Sequence, residues 1–318
     1  MTKYIKMSAL RKELRKTVSV RANKSTNNKQ CVLHLAMIGC EDTCVYGPEY
    51  HTASMCLTLL CRAIETKFSH INVNSENMAC NDLKDGSTNW EVKISIYNGK
   101  QMDFPTKKDL DEVYHGVILP GSLSSAYDGT KEAWIAALQD YIQTEIHANK
   151  RKTLGICFGH QIMAHSFSSD NGMATKCPHG PQVGLYPSIE LTPLGNTLSF
   201  QQSSFKHLLV THSDMVRSLP SCASPLAGTA HVPIIAAAYF TKDDDLRHKP
   251  YAITFQAHPE YGTDQKTFIN VVNKMQQNEI IDLKSSQVAK ENAERYSECI
   301  EQCSIEVMIS AGTSLRWF

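Results

Sequence analysis

The sequence predicts an α/β fold of three layers, a mostly parallel central sheet with helices on both faces. Two observations carry that expectation. From about residue 31 onward, short apolar runs alternate with longer stretches of helical periodicity, the pattern that strand–helix–strand connections leave in a sequence. Size and composition agree: 318 residues, 42% hydrophobic and 20% charged, are enough to bury one α/β domain with additions, or at most two domains.

Residues 1–30 are expected as a basic flexible tail. They carry nine Lys or Arg against the single acid Glu13, with six Ser or Thr and no strand pattern, a composition that buries too little apolar area to fold. Met7, Leu10 and Leu14 along one side of a short basic helix would instead suit a mitochondrial transit segment. Residues 31–38 form the first expected strand and 50–68 a helix. The polar, Asn- and Asp-rich segment 72–90 reads as an irregular insertion before a strand over 91–97. A short buried strand is expected at 116–119. An amphipathic helix follows over 131–149, with Trp134, Leu138, Tyr141, Ile142 and Ile146 on its apolar side. Residues 152–156 make the central strand, which runs into a helix over 158–167. Further strands are expected over 184–192, 207–210, 234–240 and 251–256, the last two flanking an Asp-rich turn at 242–249. A helix over 263–278 precedes a single helical stretch over 280–303 that docks on its own domain. The organisation is therefore a tail (1–30), a main domain (31–280) and a C-terminal helical extension (281–318).

The chemistry is concentrated where the central strand ends, in Thr153-Leu154-Gly155-Ile156-Cys157-Phe158-Gly159-His160-Gln161. Glycines two before and two after Cys157 let a strand turn sharply into a helix, which leaves the thiol exposed at the carboxyl edge of the sheet. The following helix aims its amino-terminal amides and positive dipole end at the sulfur, which favours the reactive thiolate. A nucleophilic thiol needs a base, and Gln256-Ala257-His258-Pro259-Glu260 supplies one just after a strand. In extended backbone, positions two apart point the same way, so the Glu260 carboxylate can orient the His258 imidazole. Cys157, His258 and Glu260 are the expected catalytic residues.

Gly155-Ile156-Cys157-Phe158-Gly159-His160-Gln161 and His258-Pro259-Glu260 resemble the two signatures of class I glutamine amidotransferase domains. The similarity extends to His115-Gly116-Val117-Ile118-Leu119-Pro120-Gly121-Ser122, to Thr211-His212-Ser213-Asp214-Met215-Val216, and to the order of these blocks over about residues 31–280. Free-standing members, γ-glutamyl peptidases among them, look most similar. The resemblance implies a flavodoxin-like sheet and a cysteine-dependent attack on γ-glutamyl amides. It implies an oxyanion hole built from the Phe158 amide and from either Gly121 or Ser122, Leu123 standing where proline is usual. It also implies glutamyl binding by Gln161 and by the His212, Ser213 and Asp214 loop. Tyr127 and Asp128 are candidates for the acceptor side, whereas His160 and His165 are expected to serve packing.

Composition removes other classes. Basic and acidic residues balance at 32 each, so neither nucleic acid nor an anionic membrane is an expected partner, and no apolar stretch is long enough to span a bilayer. Eleven cysteines without a CxxC pair argue against a disulfide framework and against a zinc site; no metal and no cofactor are expected. Reduced thiols suit a cytoplasmic location. No Gly-rich ATP pyrophosphatase loop and no P-loop occur. A small-molecule γ-glutamyl substrate with water as acceptor is therefore the first reading. Two alternatives stand behind it: a glutaminase subunit passing ammonia to a separate synthetase, and a silent binding module.

Overall fold

The computed structural model describes residues 13–20, 29–41, 47, 50–71, 88–241 and 249–318. Its centre is a nine-stranded sheet in the order β1-β3-β2-β4-β5-β13-β12-β11-β8. The strands are β1 (Glu13–Val20), β2 (Lys29–Gly39), β3 (Thr88–Asn98), β4 (Gly116–Leu119), β5 (Thr153–Ile156), β8 (Glu190–Leu191), β11 (Ala223–Gly228), β12 (Ala236–Tyr239) and β13 (Ala252–Phe255). β3, β2, β4, β5 and β13 run parallel. β1 closes one edge antiparallel to β3, and β12, β11 and β8 extend the other antiparallel to β13. The parallel centre is buried on both faces, so β4, β5 and β13 are covered at every position.

Alternation along each strand sorts residues into two cores. Ile118, Ile156, Ile253 and Phe255 face one side, packed with helix α1 (Tyr50–Ile71) and the last helix, α9 (Ser297–Ser314). Val117, Leu119, Tyr239 and Ala252 face the other, beneath α3 (Ala133–Tyr141) and α4 (Phe158–His165). The short helix α2 (Lys107–Glu112), closed by a Thr106–Asp109 capping box, leads into β4. A third core joins Leu209 and Tyr261 to α7 (Gln265–Gln277) and α8 (Leu283–Arg295). Two small two-stranded antiparallel sheets, β10 (Asp214–Ser218) with β6 (Met173–Lys176) and β7 (Gln182–Leu185) with β9 (Leu209–His212), lie outside the main sheet. Short helices α5 (Pro193–Thr197) and α6 (Gln202–Phe205) complete the set. Among the described residues no helix is long and apolar enough to cross a membrane.

The three-layer α/β expectation agrees with this architecture, and several expected elements need correction. Part of the expected tail, Glu13–Val20, is an edge strand paired antiparallel to β3. Residues 88–90, expected as insertion, begin β3 in parallel register with β2. The segment 184–192 is two strands in different sheets, β7 and β8, rather than one. The helix expected over 131–149 begins as α3 and continues as a wider turn, Ile142–His147, with all five of its expected apolar residues buried. The helical stretch 280–303 breaks at Tyr296, whose ring packs against His207 at a tilt of 39° with centroids 5.0 Å apart. The turn at 242–249 lies largely outside the described residues, as do 72–87 and the Met7–Leu10 helix.

Candidate active site

Cys157 occupies the turn between β5 and α4 with φ 51° and ψ −103°, a conformation an L-residue adopts only when its surroundings enforce it. They do so through hydrogen bonds. The Cys157 amide donates to the Phe255 carbonyl at 2.7 Å, its own carbonyl accepts from the Gln161 amide at 3.0 Å, and the Gly159 amide donates to the Pro120 carbonyl at 3.1 Å. The flanking glycines are required by space. A Cβ at Gly155 would come within 2.8 Å of the Gly159 carbonyl oxygen and of Thr254 Cγ2, and one at Gly159 would run into the Leu119 carbonyl. Cys157 is buried, with its thiol directed into the site.

β13 delivers His258 and Glu260 to the same place. Nδ1 of His258 lies 2.7 Å from Oε1 of Glu260, with both side chains almost wholly buried. The imidazole is stacked on Tyr261, centroids 4.4 Å apart and planes 13° from parallel, and its Nε2 makes no hydrogen bond. Burial alone would depress the imidazolium, but the Glu260 carboxylate and then the Cys157 sulfur outweigh it and push the imidazole up to about 10. The imidazolium form of His258 is therefore favoured by the carboxylate and the sulfur beside it.

The Pro120–Leu123 turn closes over this pair. A Cβ at Gly121 would be 3.1 Å from His258 Cε1 and 3.9 Å from Cys157 Cβ, so a larger residue would press on the imidazole. Phe158 is the first residue of α4, where helix amides lack intrahelical acceptors. Ser122 Oγ accepts from the Ser124 amide at 3.2 Å, and Leu123 is exposed at the rim. Gly121 and Phe158 thus lie beside Cys157, with Ser122 the next residue of the turn.

The expected glutamyl-binding residues also converge, tied to partners that the sequence did not indicate. Gln161 Nε2 donates to the Asp214 carbonyl at 2.9 Å and to Gln256 Oε1 at 3.2 Å. His212 Nδ1 donates to the same carbonyl at 2.8 Å, so its Nε2 accepts from the Tyr186 hydroxyl at 2.8 Å. Burial, helped by the nearby His258 and His160, holds His212 down at about 3 against the favourable bond to Asp214, so the ring is neutral. The Ser213 carbonyl accepts from the Cys177 amide at 2.8 Å. The Asp214 carboxylate takes hydrogen bonds from Ser125 Oγ at 2.5 Å and Tyr127 at 2.9 Å, which ties this loop to the oxyanion turn. Tyr127 therefore reaches the site through Asp214, while Asp128 turns to Lys131. His160 is packed between Thr254 and the Ile234 carbonyl, and His165 accepts from the Ala174 amide. Among the described residues no group of three or more His, Cys, Asp or Glu is arranged to hold a metal ion.

Residues 82–270 match the family model of class-I glutamine amidotransferases. The chain belongs to that family. As a class-I glutamine amidotransferase domain, it is 26% identical to γ-glutamyl peptidase 2 of Arabidopsis thaliana over 69% of this chain and 80% of the relative. It is 30% identical to γ-glutamyl peptidase 4 of the same plant over 57% of this chain and 66% of the relative. A glutamine amidotransferase from Thermotoga maritima has a similar fold, with a TM-score of 0.56 at 16% identity, covering 89% of this chain and 98% of that one. Family and relatives together support an amidotransferase-type hydrolase. Within this amidotransferase domain, Gln256, Tyr186 and Ser125 are the site residues that sequence reasoning missed. Gln256 stands two positions before His258, just past the end of β13, so the two-residue spacing that paired His258 with Glu260 also pointed to it. Tyr186 and Ser125 come from distant segments and carry no local signal.

Proposed function

We propose that this protein is a cysteine-dependent hydrolase of γ-glutamyl amide bonds, acting through a γ-glutamyl thioester on Cys157. The observation that carries the reading is the buried Cys157–His258–Glu260 constellation at the carboxyl edge of the parallel strands. In the proposed mechanism the Cys157 thiolate adds to the γ-carbonyl carbon. The developing oxyanion is met by the Phe158 amide and by that of Gly121 or Ser122, donors already in place before the reaction. Collapse of the intermediate breaks the C–N bond, and the His258 imidazolium gives its proton to the departing amine. Water then adds to the thioester, losing a proton to the now neutral His258, and glutamate leaves as the thiolate reforms. Glu260 keeps the imidazole in one orientation and balances its charge. At the glutamyl end, Gln161 Oε1 is the free face of a carboxamide whose nitrogen is already engaged, and it suits the substrate's α-ammonium. His212, Ser213 and Asp214 shape the wall opposite.

Both plant relatives named above are γ-glutamyl peptidases, which favours a peptide leaving group over ammonia. The test is turnover by the purified chain alone. γ-Glutamyl peptides are expected to show a higher kcat/KM than glutamine. Better turnover of glutamine, rising many-fold only when a separate synthetase is added, would replace this reading with that of a glutaminase subunit.

A further inference from the structure

The Cys157 sulfur has a second polar neighbour besides His258. Gln256, the last residue before the His258 turn, is fully buried, and its Nε2 lies 3.7 Å from Cys157 Sγ, within hydrogen-bond distance of a sulfur acceptor. Which end of a buried carboxamide faces the sulfur is decided here by a chain of partners. The Asp214 carbonyl can only accept, so the Gln161 atom facing it at 2.9 Å is the nitrogen. That same nitrogen donates at 3.2 Å to Gln256, which must therefore present its oxygen to Gln161 and its nitrogen to the sulfur. The polarity of the relay is set at its far end by a backbone atom, and every member between is buried.

We propose that Gln256 is a further catalytic residue, whose carboxamide N–H holds the Cys157 sulfur as a thiolate, with Gln161 as the positioning residue that fixes its direction. The proposal rests on the reading of Cys157 as the nucleophile. A neutral thiol gains little from a donor, whereas a thiolate gains a charge-assisted bond, so the contact selects the reactive form and aims its remaining lone pairs toward the substrate. The His258 imidazole lies beside the sulfur, and Gln256 donates the hydrogen bond to it. Gln161 then has two tasks: its nitrogen anchors Gln256, and its oxygen remains for the glutamyl group. A substitution at Gln161 is accordingly expected to disturb the nucleophile as well as substrate binding.

The test is alkylation of Cys157 by iodoacetamide in the full chain, followed across pH and assigned by peptide mapping because the chain has eleven cysteines. The groups that act on the sulfur in this profile are His258 with Glu260 behind it, Tyr186 after β7 and Cys177 after β6, with His212 on β9 bonded to the last two. Gln256→Met, which keeps length and removes the donor, is expected to slow alkylation at neutral pH about tenfold and to move the alkylation curve to higher pH. Gln161→Met, which does not touch the sulfur, should slow it in the same direction, and the double variant should be little slower than Gln256→Met alone. Alkylation rates and pH curves indistinguishable from wild type in the folded variants would overturn the proposal. If Gln256→Met fails to fold, Gln256→Leu, which also removes the donor without adding charge, and Gln161→Met decide it. Iodoacetamide needs no γ-glutamyl site. A chain that shows these alkylation effects yet cleaves no γ-glutamyl amide would uphold the role of Gln256 at the sulfur and reject the hydrolase reading.

Discussion

Cys157, His258 and Glu260 differ in what each contributes, and their substitutions should separate accordingly. Cys157→Ser replaces a thiolate by a far weaker alcohol nucleophile at an unchanged backbone, so turnover should fall to the background while the fold persists. His258→Ala is expected to cost about ten thousandfold in kcat/KM, with Glu260→Gln about a hundredfold less severe, since the carboxylate acts only through the imidazole. Steady-state kinetics of the three variants check this order. The proton on His258 also has a stability signature. Its folded value lies above the ordinary 6.5, so its contribution is fully present below that pH and is lost as pH rises through about 10. The Tm difference between wild type and His258→Gln should therefore shrink as pH is raised over that window. At this scale the sequence was most readable where the chemistry is local: a cysteine between two glycines, and His-Pro-Glu after a strand. It was unreadable where partners come from afar, as with Tyr186 on His212 and Ser125 on Asp214.

Among the elements, the strand-to-helix turn is the one the sequence specified most fully, because space forces its residues. Gly159 packs against the Leu119 carbonyl, a backbone atom that cannot give way by changing rotamer. Gly159→Ala is thus expected to destabilise the protein by at least about 3 kcal/mol, read by chemical denaturation. The parallel strands were legible for a related reason: buried on both faces, they stand out as unbroken apolar runs. Elements decided by tertiary contact were not legible. The α8–α9 break has no Gly or Pro to announce it and depends on Tyr296 meeting His207. β1 looks like a basic tail because an edge strand needs only backbone pairing to β3, which no side-chain pattern reports. β6 and β10 went unrecognised because each is short and pairs outside the main sheet.

In the whole molecule, the helices beyond the family-matched span buttress the site. α9 packs directly beneath the turn that carries Glu260: a Cβ at Gly262 would collide with the side chain of Ser304. Gly262→Ala should lower both stability, by about 1–3 kcal/mol, and kcat/KM, because the displaced turn carries His258 and Glu260 with it. Adding Ser304→Gly removes the collision and should restore most of the activity, although a glycine within α9 itself costs about 1 kcal/mol of helix stability. Loss of activity that the second substitution leaves unchanged would mean that α9 does not position the turn. The central claim, covalent catalysis at one thiol, is tested most directly by mass spectrometry of an acid-quenched reaction of the purified chain with a γ-glutamyl peptide. The account predicts a γ-glutamyl adduct mapped to Cys157, labile to hydroxylamine and absent from Cys157→Ala. Hydrolysis with no adduct, or an adduct on another of the eleven cysteines, would contradict it.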